Sequence, residues 1–150
     1  MGNKPSALDQ FQQKQLKLHN EYRKKHDVNP LKLSKDLCKD AELFAQKLAT
    51  EGLLRHDPNC KLGENVYFSS HSPDGATESW YKESEQIKSY AEIEDISDKI
   101  SHFSQIVWSD CHAVGIAMAK GANGFYVVCR YMPNGNRVGH YSDNVFPPKN

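Results

Sequence analysis

The sequence predicts an α+β fold, with helices packed on a mainly antiparallel sheet. Three observations predict it. Helical spacing of apolar residues dominates the first ninety positions. Two β-prone runs follow, joined by a glycine-containing turn. Helices and strands do not alternate strictly, which argues against a parallel sheet built from βαβ units. A chain of 150 residues suits one domain with a substantial core. The expected organisation is a flexible N-terminal segment at 1–6 and a single domain over 7–150.

Residues 7–26 read as a helix, because Phe11, Gln15, Leu18 and Tyr22 recur at three- and four-residue spacing. Asp27 to Pro30 breaks it. Ser34 suits the N-cap of a second helix, whose stripe is Leu37, Ala41, Phe44, Ala45 and Leu48, with Gly52 as its stop. "ENVYF" (64–68) alternates like a strand, and "SSHSPDG" (69–75) reads as a loop. Residues 76–90 read as a third helix with Trp80, Glu83, Ile87 and Tyr90 on one face, and 100–108 as a shorter one. "GIAMA" (115–119) and "GFYVVCRYM" (124–132) form a hairpin around "KGANG", with Phe125–Tyr131 as a central strand. "VFPPKN" carries no regular structure.

Charged residues make up 25% of the chain and hydrophobic ones 38%, the balance of a soluble globular protein. No apolar run reaches membrane-spanning length, and no secretory signal is expected at the N-terminus. Net charge is zero but uneven. Residues 1–39 hold nine Lys/Arg against four acids, whereas residues 78–98 hold seven acids against two lysines. Most of these charges read as solvated helix faces, while a basic side suits an anionic surface. No nucleic-acid module interleaves aromatic and basic residues, so no nucleic-acid partner is expected. Cys38, Cys60, Cys111 and Cys129 include no CxxC pair, which speaks against a zinc knuckle. Free thiols are expected in a reducing compartment, and two disulfides in a secreted setting.

Met1-Gly2-Asn3-Lys4-Pro5-Ser6 matches the N-myristoylation pattern, with Gly2 as the acceptor. One acyl chain anchors only marginally. The basic N-terminal third supplies a second signal through anionic lipids.

Four polar residues stand in apolar settings. Glu83 shares a helical face with Trp80 and Ile87, and Glu64 shares a strand face with Val66 and Phe68. His102 sits beside Phe103, and His56 follows Leu53 and Leu54. A carboxylate in such a place is costly unless paired or coordinating. Each residue also has a purely structural reading.

The chain resembles the CAP superfamily, named for cysteine-rich secretory proteins, antigen 5 and pathogenesis-related 1 proteins. The resemblance rests on "HNEYR" (19–23), "GENV" (63–66), "HFSQIVW" (102–108) and "YVVCRYMPNGN" (126–136) in that order. Within the family it resembles a short, Golgi-associated branch that begins with a myristoylation motif and ends near "PP" plus a basic residue. The resemblance implies a CAP-type α-β-α sandwich with a cleft lined by His56, Glu64, Glu83 and His102. Such a cleft is expected to take a divalent cation, zinc above all, that the fold does not require. A metal-free hydrogen-bonded cluster is the alternative. The cysteine pattern departs from secreted members, so no disulfide pairing is carried over.

The expected function is a non-enzymatic, myristoylated protein on the cytosolic face of Golgi or related membranes. Anionic lipids, protein partners and a homodimer complete that expectation. One alternative is a protease-like hydrolase using the His/Glu cleft. It faces the difficulty that Ser104 and His102, two apart on a helix, point in different directions. Another is a secreted effector that binds sterol or other lipid, with the 67–75 loop, Trp80 and Tyr81 as the candidate region. His19 and Arg23 are expected to bond neighbouring elements.

Overall fold

The computed structural model describes residues 5–149; the acceptor Gly2 lies outside them. Helix α1 spans Ala7–Lys25 and opens on a capping box. The Ser6 hydroxyl accepts from the Asp9 N–H at 3.0 Å, and the Asp9 carboxylate accepts from the Ser6 N–H. The buried stripe of α1 is more polar than its apolar spacing suggests. Phe11, Gln12, Gln15, His19 and Arg23 are buried, while Leu18 and Tyr22 stand half-exposed at its edge. Strand β1 is two residues, Lys32–Leu33. Helix α2, Lys35–Glu51, has Ser34 as N-cap and ends on Gly52, whose left-handed φ of 69° suits glycine.

Strand β2 covers Gly63–Ser69, and helix α3 covers Ala76–Tyr81. The 76–90 helix is therefore much shorter than expected. Lys82–Gln86 winds as a 3-10 turn, and Ile87 is extended. The cause is local: Lys82-Glu-Ser-Glu-Gln86 offers no apolar group to bury, so nothing holds a further α-helical turn against the core. A kinked 3-10 stretch, Tyr90–Lys99, leads to α4 at Ser101–Val107. Strands β3 (Ala113–Lys120) and β4 (Phe125–Met132) form the expected hairpin, closed by Gly121 N–H to Gly124 C=O at 2.8 Å. A short helix α5, Tyr141–Asn144, was not expected.

The sheet order is β1-β3-β4-β2. Only the β1–β3 pair is parallel. Strand β4 is central as expected, pairing with β3 on one side and β2 on the other. Both its faces are covered, which is why its apolar run is continuous rather than alternating. On one face α2 packs Ala41, Phe44, Ala45 and Leu48 against Val66, Ala117, Tyr126 and Val128. On the other, Phe11, Trp80, Phe103 and Ile106 meet Ile116, Val127, Cys129 and Tyr131. The result is three layers, α-β-α.

The "HNEYR" residues serve this frame. The buried Arg23 guanidinium donates to the carbonyls of Asn29, Ile106, Trp108 and Cys111, tying α1 to the end of α4. His19 bonds the Gln15 carbonyl and the Tyr131 hydroxyl. Burial pushes the His19 pKa down to about 4, because a charged imidazole there would lose its hydration. Among the described residues the four cysteines are free thiols.

Candidate functional site: two histidine–glutamate pairs

The four residues singled out in the sequence come together as two pairs. In the first, Glu83 on the 3-10 turn reaches the start of α4. Its Oε1 accepts from the backbone N–H of His102 (2.9 Å) and Phe103 (3.0 Å), and its Oε2 faces His102 Nδ1 at 2.7 Å. Helix α4 has no side-chain cap from its own N-cap residue, Ile100. Glu83 supplies that cap from a distant segment, occupying the position an N-cap carboxylate would take. The break after α3 thus places Glu83 where one continuous helix would not.

In the second pair, Glu64 leaves β2 and meets a loop. Its Oε1 accepts from the Asp57 N–H at 3.0 Å and faces His56 Nδ1 at 2.9 Å. Its Oε2 takes Arg130 Nη2 at 3.1 Å. The His56 side chain is 61% exposed, whereas that of Glu64 is 5% exposed. The carboxylate raises the His56 pKa by favouring the charged ring, against a smaller opposing effect of burial.

A carboxylate only accepts, so each Nδ1 carries the proton. In the neutral ring, Nε2 then keeps its lone pair. The two imidazoles lie nearly parallel, 16° apart in plane with centroids 6.4 Å apart. The Trp80 ring also stacks with His102 at 6.1 Å, with an interplanar angle of 10°. Trp80 is also a core residue, its indole N–H donating to the Val66 carbonyl. It therefore packs the core and walls the site. Among the described residues, no group of three or more His, Cys, Asp or Glu side chains is arranged to hold a metal ion. A pocket of about 240 Å³ opens beside His56, with Cys60, Glu64, Gln105, Asn134 and Asn136 in its lining.

Ser104 is fully buried, and its hydroxyl donates to the Ser101 carbonyl and to Asn136 Oδ1. Gln105, from the same motif, is gripped by two glycines. A Cβ on Gly63 or on Gly135 would fall within 2.3 Å or 2.7 Å of the Gln105 side chain. The three motifs "GEN", "HFSQ" and "PNGN" therefore meet at one place, each needing the others' shape.

Sequence reasoning missed Arg130. It sits in the apolar β4 run with its side chain only 5% exposed, bonding Asp40, Asp57 and Glu64. The available signal was a lone charge inside a central strand, a place where charge survives only when paired.

Comparison with known proteins follows the same lines. The cysteine-rich secretory protein family profile matches residues 16–131. Golgi-associated plant pathogenesis-related protein 1 of Homo sapiens is 38% identical over 153 residues, covering 96% of this chain and 97% of that one. A probable pathogenesis-related protein of Candida albicans is 39% identical over 142 residues, covering 91% and 67%. Among solved structures, NaASP2 with Zn2+ superposes with a TM-score of 0.78 at 20% identity, covering 99% of this chain and 91% of that one. Schistosoma mansoni venom allergen-like protein 4 gives a TM-score of 0.76 at 20% identity, covering 95% and 97%. With its α-β-α layers, its four ordered motifs and this match over most of its length, the chain belongs to the CAP, or cysteine-rich secretory protein, family.

Proposed function

We propose that the protein is a non-enzymatic CAP-domain binding module whose cleft takes a divalent ion between His56 and His102. The observation that carries this reading is the pair of carboxylates behind the two rings. Each locks one imidazole by Nδ1, the arrangement that orients metal-binding histidines elsewhere. The donor set fits two imidazole ligands rather than a cage of four, because the oxygens of Glu64 and Glu83 already accept hydrogen bonds. Water or a ligand atom completes the shell. A bound ion would polarise an oxygen-bearing ligand at the cleft mouth. NaASP2, a protein of the same fold, is described with Zn2+, and two imidazoles suit zinc.

The serine-protease reading lacks a free serine nucleophile. The Ser104 hydroxyl is buried and engaged with Asn136, while His102 is engaged with Glu83. Zinc titration by calorimetry tests the proposal. Heat of binding at neutral pH that vanishes in His102→Ala supports it. No heat in the wild type, or unchanged binding in His102→Ala, defeats it.

The second part of the proposal is membrane attachment by myristate on Gly2, on the cytosolic face of Golgi or related membranes. The human relative is named for the Golgi. Lys14, Lys17, Lys24 and Lys25 of α1 are exposed, which gives anionic lipids a basic surface. No helix among the described residues is long and apolar enough to cross a membrane. Protein partners, a second copy of the chain among them, would share that surface. Cell fractionation of wild type against Gly2→Ala decides: both remaining soluble contradicts attachment.

A further inference from the structure

We propose that Arg130 is the positioning residue that turns His56, a loop histidine, into a fixed half of the cleft. The inference rests on the two-histidine reading above. Residues 52–62 carry no helix or strand, so the chain bearing His56 has no backbone ladder to hold it. Arg130 supplies the hold. Its Nη1 donates to Asp40 of α2 at 2.8 Å, and its Nη2 donates to Asp57 of the loop at 2.8 Å and to Glu64 of β2 at 3.1 Å. The Phe44 ring lies under the guanidinium at 5.2 Å, so both its face and its edge are fixed.

Three carboxylates from three segments thus converge on one planar group in the middle of β4. Asp57 is drawn in twice, by its carboxylate to Arg130 and by its N–H to Glu64. That sets the position of the residue next to His56. Glu64, held on the Oε2 side by Arg130, then presents Oε1 to His56 Nδ1. The other half needs no such device. Glu83 is held by two backbone N–H groups of α4, and no lysine or arginine among the described residues bonds it. Loss of Arg130 should therefore disturb one histidine and spare the other.

The test uses Arg130→Gln and Arg130→Lys. Nitrogen NMR of the metal-free proteins at mildly alkaline pH reports which ring nitrogen of each histidine carries the proton. In Arg130→Gln, His56 should lose its Nδ1–H preference and move toward the mixture of a free imidazole, while His102 keeps the wild-type signature. Zinc affinity should fall, by less than the roughly 10–100-fold that loss of a histidine's direct outer-shell partner costs, because Arg130 acts through Glu64. Arg130→Lys keeps the buried charge but lacks the fork that serves three carboxylates. It should shift His56 in the same direction by less, and it carries the test if the glutamine variant fails to fold. An unchanged His56 in both variants overturns the proposal, as does an equal change at His102. If the wild type takes no zinc, the two-histidine reading fails, yet the metal-free spectra still decide the role of Arg130.

Discussion

The two His–Glu pairs are alike in contact distance, 2.7 and 2.9 Å, and unlike in what holds them. The His102 pair is held by backbone: Glu83 caps α4, and its position follows from the 3-10 turn that ends α3. The His56 pair is held by side chains: a strand carboxylate, a buried arginine and a loop aspartate. His102 is 27% exposed and stacked on Trp80, while His56 stands mostly in solvent. The contrast separates a backbone-held half, built into a helix terminus, from a charge-held half, built on side chains.

The buried His19 gives a pH effect larger than the exposed His56 pair, and buried His26, whose pKa burial also lowers, acts in the same direction. The folded pKa of His19, about 4, lies below the ordinary 6.5. Between those values the unfolded chain binds the extra proton, so stability falls as pH drops through the window. The span corresponds to about 3 kcal/mol, and urea titrations across that range should show it, with the slope much reduced in His19→Gln. The His56 shift has the opposite sign. Its raised pKa adds stability that is present below the ordinary value and is lost as pH rises through the folded one. The ring is too exposed for this to offset the loss at His19.

The next largest effect should come from the backbone-held half. Glu83→Ala removes the acceptor for two N–H groups at the start of α4 and should cost about 2 kcal/mol. Chemical denaturation checks this, and a cost near zero would show that the cap is not what holds His102. The smallest effect should come from the charge-held half. His56→Ala should cost less than about 1 kcal/mol, as expected for an exposed partner. A cost as large as that of Glu83→Ala would erase the distinction between the halves.

Much of this arrangement was legible in the sequence, for reasons that mark where it stopped. Helix α2 announced itself by a cap, a stripe and a glycine, and β4 by an apolar run between turns. These are local signals, and local physics decides them. The four cleft residues were visible as polar groups in apolar settings, but only the family resemblance implied that they line one cleft. The end of α3 was not legible, because Trp80, Glu83 and Ile87 keep helical spacing although Lys82 and residues 84–86 have nothing to bury. The two-residue β1 is fixed by pairing with β3, some eighty positions away. Arg130 was legible as a lone charge in a central strand, but its partners were not, since they lie 66, 73 and 90 positions distant. No spacing rule reaches that far.

The central claim is that the glutamates hold the rings and the rings hold the ion. X-ray absorption of the zinc-loaded protein tests it most directly. The account predicts two imidazole nitrogens at about 2.0–2.1 Å, a shell completed by non-carboxylate oxygen, and one imidazole fewer in His56→Ala. A shell with no imidazole, or one in which both carboxylates ligate zinc, would contradict it.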